Sequence, residues 1–192
     1  MFGFCGILTP LVAFTCTLLA VALSPHFSWA DNALSDLGVI AGSPSILFNS
    51  GLMVSGALAL LFALGLLVFF KKSLPGRVGA LLFSFDSVAL IAIGVFSENA
   101  RPMHLYASVA FFVLAPVSML FLTASFLLAS KVAKGLLTLG AAMFAAAVWI
   151  AEFLWRYVPG VAIPEALSAL SASLWVVIIG FDMVRGISGS SD

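Results

Sequence analysis

Six long apolar stretches constrain this chain more than any other feature. They run at about 4–24, 46–70, 78–97, 105–129, 135–157 and 163–185, and each has the roughly 20 residues a helix needs to cross a bilayer. Breakers separate them. Ser24-Pro25-His26 ends the first, Lys71 to Arg77 with Pro75-Gly76 divides the second from the third, and Asn99-Ala100-Arg101-Pro102 precedes the fourth. Lys131 to Lys134 forms a short connection, and Val158-Pro159-Gly160 leads into the last stretch. The expected fold is all-α: a polytopic membrane protein with a six-transmembrane-helix bundle, forming one domain over 1–192.

Composition agrees. Hydrophobic residues make up 63% and charged residues 8%, whereas a soluble domain carries about a quarter charged residues. Eight basic residues balance eight acidic ones, so there is no basic patch or polar tract for a nucleic-acid partner. The expected solvent and partner is membrane lipid, in a multi-pass protein of the cell membrane. Self-association as a homo-oligomer stays open.

Ser28-Trp29-Ala30 carries small residues of the kind a signal peptidase favours at its cleavage site. No Lys or Arg precedes the first stretch, however, and it is long for a signal core, so a membrane helix is expected. Cys5 and Cys16 both lie on it, roughly 16 Å apart at ~1.5 Å per residue, too far to bridge. Without a CxxC or a Cys/His cluster they read as small packing residues.

Charge sets a direction. Lys71, Lys72, Arg77, Lys131, Lys134 and Arg185 fall on one side of a six-helix count, and only Arg101 and Arg156 on the other. The positive-inside rule places the first side, with both termini, in the cytoplasm. Asp31, Asp36, Glu98, Glu152, Glu165 and both histidines collect on the opposite side, where Trp29, Tyr106, Trp155 and Tyr157 suit an interfacial belt. Gly51, Ser55, Ala59 and Ala63 form a small-residue stripe on the second helix, and Ala141/Ala145 with Ala142/Ala146 repeat the device on the fifth. Pro116 is expected to kink the fourth.

Ser35-Asp36-Leu37-Gly38, Phe48-Asn49-Ser50-Gly51-Leu52, Gly94-Val95-Phe96-Ser97-Glu98, and His104 with Ser108, Phe111 and Phe112 follow one another along the first four helices. Together with Pro164-Glu165 at the start of the sixth, this pattern resembles the DUF998 family of prokaryotic membrane proteins. Ser97 stands where that family commonly has proline. The resemblance implies six helices and carries no assigned reaction. It extends more distantly to the FRAG1/DRAM/SFK1 group, whose members are linked to lipid handling.

Asp36, Asn49, Glu98, Arg101, His104 and Glu165 each fall in an outer loop or within about one turn of a helix end, which makes them candidate ligand-binding residues. Three readings fit them. The ring could grip a polar headgroup, with Arg101 and His104 toward phosphate and the carboxylates toward hydroxyls or amines. Asp36, Glu98 and His104 could instead hold a metal for a hydrolase or transferase acting on lipid, with Glu165 as base. The plain reading is a solvated loop with a Glu98–Arg101 ion pair and Glu165 at the positive end of the sixth helix.

Asp86 lies nine residues beyond Arg77, roughly 13 Å into the bilayer at ~1.5 Å per residue. An unpaired carboxylate there costs about 2.5–3.5 kcal/mol, so it must be protonated, hydrogen-bonded or facing a wet cavity. The expected partner is the hydroxyl of Ser84, Ser87, Ser118 or Thr123, making a helix clamp. The alternative is a proton-coupled transporter that uses Asp86. Glu152 and Arg156 are spaced for an ion pair, and Asp182 and Arg185 for a second one at the inner end. His26 reads as a solvated loop residue.

Absent motifs exclude several activities. No lysine lies within a span for a retinal Schiff base, and the two histidines share one side, unsuited to paired haem ligation. No P-loop, HExxH or GxSxG motif occurs, and the halves do not repeat. Sequence names no cofactor and no catalytic residue. It predicts an outward-opening cavity bounded by helices 2, 3, 4 and 6, with Asn49, Glu98, Arg101 and His104 at the head and Phe111 and Phe112 along the tail.

Overall fold

The structure is a computed structural model describing residues 1–186; the remaining six residues of the expected 1–192 domain lie outside the described residues. Six α-helices follow in order: α1 (Phe2–Ala22), α2 (Ser43–Phe69), α3 (Leu74–Val95), α4 (Met103–Leu128), α5 (Val132–Trp155) and α6 (Ala162–Val184). All six are long and apolar enough to span a membrane. The chain is a multi-pass membrane protein.

Local chemistry sets the helix ends. Pro44 and Pro75 occupy the first turns of α2 and α3, where a missing N–H costs nothing. The Ser73 hydroxyl caps α3 by accepting from the Gly76 N–H at 3.3 Å. This cap starts α3 four residues earlier than the basic run suggested, with Arg77 taken into the helix's first turn and Lys71 and Lys72 left before it.

Each helix packs on its neighbours in sequence, and α6 returns to α1, closing a ring of six. Where α1 meets α6 the backbones nearly touch: a Cβ on Gly3 would lie 2.5 Å from the Gly180 carbonyl oxygen. The start of α1 and the end of α6 therefore lie at one end of the bundle, the termini end, and the connections α1–α2, α3–α4 and α5–α6 form the other, called the mouth. The stripe on α2 works as expected: Ser55, Ala59 and Ala63 are buried, and Gly51 presses on Cys16.

The two ends are filled differently. Toward the termini, Phe62, Phe83 and Trp175 pack edge-to-face or tilted, with ring centroids 5.8–6.3 Å apart. The buried Trp175 indole donates to Thr138 Oγ1 at 2.9 Å, satisfying its one polar atom. Toward the mouth the centre is covered by a short 3-10 helix, η1 (Leu34–Val39), whose Leu37 is buried against Ala20 and Phe48. The Gly160 N–H donates to the Ala30 carbonyl at 2.7 Å and the Ala162 N–H to Asn32 at 2.8 Å, tying the α5–α6 turn to the segment before η1.

Two expected ion pairs form differently. Asp182 pairs with Lys134 across α5 and α6 rather than with Arg185, because the neighbouring helix presents its ammonium at the same level. Glu152 is buried with an unpartnered Oε2. Arg156, its expected partner, is the left-handed C-cap of α5 at φ 43°, which carries its exposed side chain off the helical face of Glu152.

Candidate functional site

A groove of about 540 Å³ opens at the mouth. Glu98, Arg101, His104 and Glu165 supply its polar end. Val109, Phe112 and Val113 of α4 and Trp149 and Phe153 of α5 extend it along the seam between those helices. Val109, Val113 and Phe153 are exposed, so this seam faces the surrounding lipid. From His104 to Val113 it descends roughly 14 Å at ~1.5 Å per residue.

The polar residues hold one another in place. Arg101 donates to Glu98 Oε1 at 2.6 Å, forming the expected local ion pair. His104 is buried, with Nδ1 2.7 Å from the Phe96 carbonyl and Nε2 3.4 Å from Ser108 Oγ. A carbonyl only accepts, so Nδ1 carries the proton and Nε2 receives the Ser108 hydroxyl. Glu165 Oε2 accepts the Leu34 N–H at 2.6 Å, fastening η1 to the first turn of α6.

Two of the six candidate residues lie beside the groove, not on its wall. The Asp36 carboxylate accepts from the Ala33 N–H at 2.9 Å and the Asn32 amide at 2.8 Å, capping η1. Burial works to raise its pKa. A hydrogen bond shared with the Glu98 carboxyl, donors from the Ala33 N–H and the Asn32 amide, and the charge of Arg101 outweigh that and hold it below the usual carboxylate range. Asn49 is turned beneath η1, where its amide donates to the Gly38 carbonyl at 2.9 Å. A Cβ on Gly38 would fall 2.6 Å from Asn49 Oδ1, so glycine permits this approach. Asn49 is thus a brace for the cover of the mouth.

The alternative metal set of Asp36, Glu98 and His104 does not come together. Asp36 and Glu98 lie near each other, but both His104 nitrogens are engaged elsewhere, by Phe96 and Ser108. Among the described residues no three His, Cys, Asp or Glu side chains are grouped to hold an ion.

Behind the groove lies an inner cavity of about 130 Å³. Ser35, Ser108, Phe112 and Glu165 border both spaces and so form the boundary between them. Phe111 lines the inner one, beside Phe48, Leu52 and Phe83. α1 also contributes through Thr9, Pro10 and Thr17, a wall that the expected four-helix boundary lacked. Asp86 lines this cavity as well, buried in the bundle.

Among the described residues no hydroxyl clamps Asp86. Ser84 donates to the Ala80 carbonyl at 2.9 Å, Ser87 to Phe83 at 2.8 Å and Ser118 to Gly79 at 2.9 Å. Ser84 and Ser87 find the carbonyl one turn back, as helical serines readily do, and Ser118 reaches across from α4 to α3, so three of the expected donors are already committed. Thr123 Oγ1 and Asp86 Oδ1 are each left without a partner.

A profile of the DUF998 family, described as a protein of unknown function, matches residues 7–182. The chain belongs to the DUF998 family. No curated protein and no solved structure matches it. In this DUF998 protein the family match runs from α1 into α6, so the groove, the inner cavity and η1 all lie within the matched region.

Proposed function

We propose that this DUF998 protein binds a lipid or related amphipathic molecule, with its polar end at Glu98, Arg101, His104 and Glu165. Its apolar part lies along the α4–α5 seam. One observation carries this reading: a hydrogen-bonding end and a lipid-facing apolar channel belong to the same groove. That is the shape of an amphiphile, and entry from the membrane requires no passage through water.

By the positive-inside rule, the mouth faces away from the cytoplasm of the cell membrane. Lys71, Lys72, Lys131 and Lys134 lie at the opposite end.

Native mass spectrometry of the detergent-extracted protein tests the reading. The wild type is expected to retain an amphiphile, and a Glu98→Ala/His104→Ala variant to lose most of it. A Val109→Trp substitution, which fills the seam from its exposed side, should lower retention without touching the polar end. Equal retention in all three proteins would overturn the assignment.

A further inference from the structure

The inner cavity poses a chemical question that the groove does not answer. Its wall is built from residues such as Phe48, Leu52, Phe83, Leu90 and Val176, yet α3 places the carboxyl of Asp86 on it. Asp86 is 4% exposed and its Oδ1 has no partner. The nearby serines donate to backbone carbonyls, and among the described residues no Lys, Arg or His lines the cavity. A buried acceptor without a donor is costly, and in native proteins its partner is commonly a group supplied by water or a ligand. The missing donor therefore belongs to whatever fills the space.

The approach to the cavity has the same sign. Glu165 stands on the boundary between groove and cavity, and Asp36 and Glu98 lie close enough to act on it electrostatically. Three carboxyls gather there against one guanidinium, and that guanidinium is already held by Glu98. An anionic group would meet repulsion along this path, while a cation would be drawn along it and would find a carboxyl at the end. Aromatic faces suit a cation too: Phe83 and Phe111 share the cavity wall with Asp86.

We propose that the inner cavity is a binding site for an organic ammonium group, with Asp86 as its hydrogen-bond acceptor and counter-charge. The volume, about 130 Å³, equals roughly four water volumes of ~30 Å³ each, room for a short alkylamine or the amine end of a longer molecule. The site rests on the groove reading only in using the groove as its entrance.

The test uses the full chain in detergent and n-butylammonium as the probe, with n-butanol and butyrate as matched controls. Binding is read from the shift of the thermal denaturation midpoint across a concentration series. The amine is expected to raise the midpoint where the alcohol and the acid do not. Asp86→Asn should raise its half-saturating concentration at least tenfold, whereas Asp86→Glu should keep the response. Ala169→Phe, which narrows the cavity and leaves Asp86 in place, should abolish the response and covers the case in which Asp86→Asn fails to fold. Equal shifts from all three compounds, or an undiminished amine response in both Asp86→Asn and Ala169→Phe, would overturn the proposal. Retention of a lipid by the groove in those variants would leave the groove reading standing, so the two failures are distinguishable.

Discussion

Asp36 holds the cover of the mouth with a single carboxylate. It accepts from the Ala33 N–H and the Asn32 amide, and its pKa lies below the ordinary value of about 3.9. A depressed folded pKa contributes stability that is complete above the unfolded value and is lost as pH falls through the folded one. Hydrogen exchange of the η1 amides, corrected for intrinsic rates, should therefore stay slow at pH 5 and quicken only below about pH 4. Asp36→Asn should quicken it at every pH. Loss of protection already at pH 5 would contradict this role. Residue identity made the mouth legible as a polar region but did not reveal which side chains line it. Asp36 and Asn49 satisfy backbone groups of η1, and no period in the sequence marks a six-residue 3-10 segment. Asp86 was legible as costly, while its lack of a partner depended on where three serines send their hydroxyls.

At the scale of elements, the helices were the most legible part, because a span of apolar residues has one stable form in lipid. Their ends moved by up to four residues, most at α3, where the Ser73 cap took Arg77 into the first turn. Contacts between helices were less legible, since small-residue stripes show where backbones approach and not which charges meet. The Lys134–Asp182 pair is an instance: it joins α5 to α6 at the termini end, and both side chains are mostly buried. Lys134→Ala leaves the Asp182 carboxyl without its cation and should destabilise the bundle by about 1–3 kcal/mol. The double variant Lys134→Ala/Asp182→Ala should recover part of that loss, because no unpaired charge then remains. Thermal melting in detergent checks this. A double variant no more stable than the single one would show that the pair itself is not the source.

For the whole molecule, the two ends of the ring differ: Phe62, Phe83 and Trp175 fill its centre toward the termini, where a cleft of about 690 Å³ lies between Phe2, Phe126 and Met183, and the inner cavity lies beneath η1 toward the mouth. That asymmetry gives the bundle a direction, and the positive-inside rule supplies its proposed orientation in the membrane. With Cys5 and Cys16 replaced by serine, a single cysteine at Asp31 should react with an impermeant maleimide added outside intact cells. One at Ser130 should react only after permeabilisation. The reverse pattern would invert the proposed orientation. The most direct measurement is a density map of the protein in a lipid nanodisc. The account predicts elongated density in the α4–α5 groove, its polar end against Glu98 and Glu165 and its chain running past Val109 and Val113. A groove holding only water, with ordered lipid confined to other faces of the ring, would contradict it.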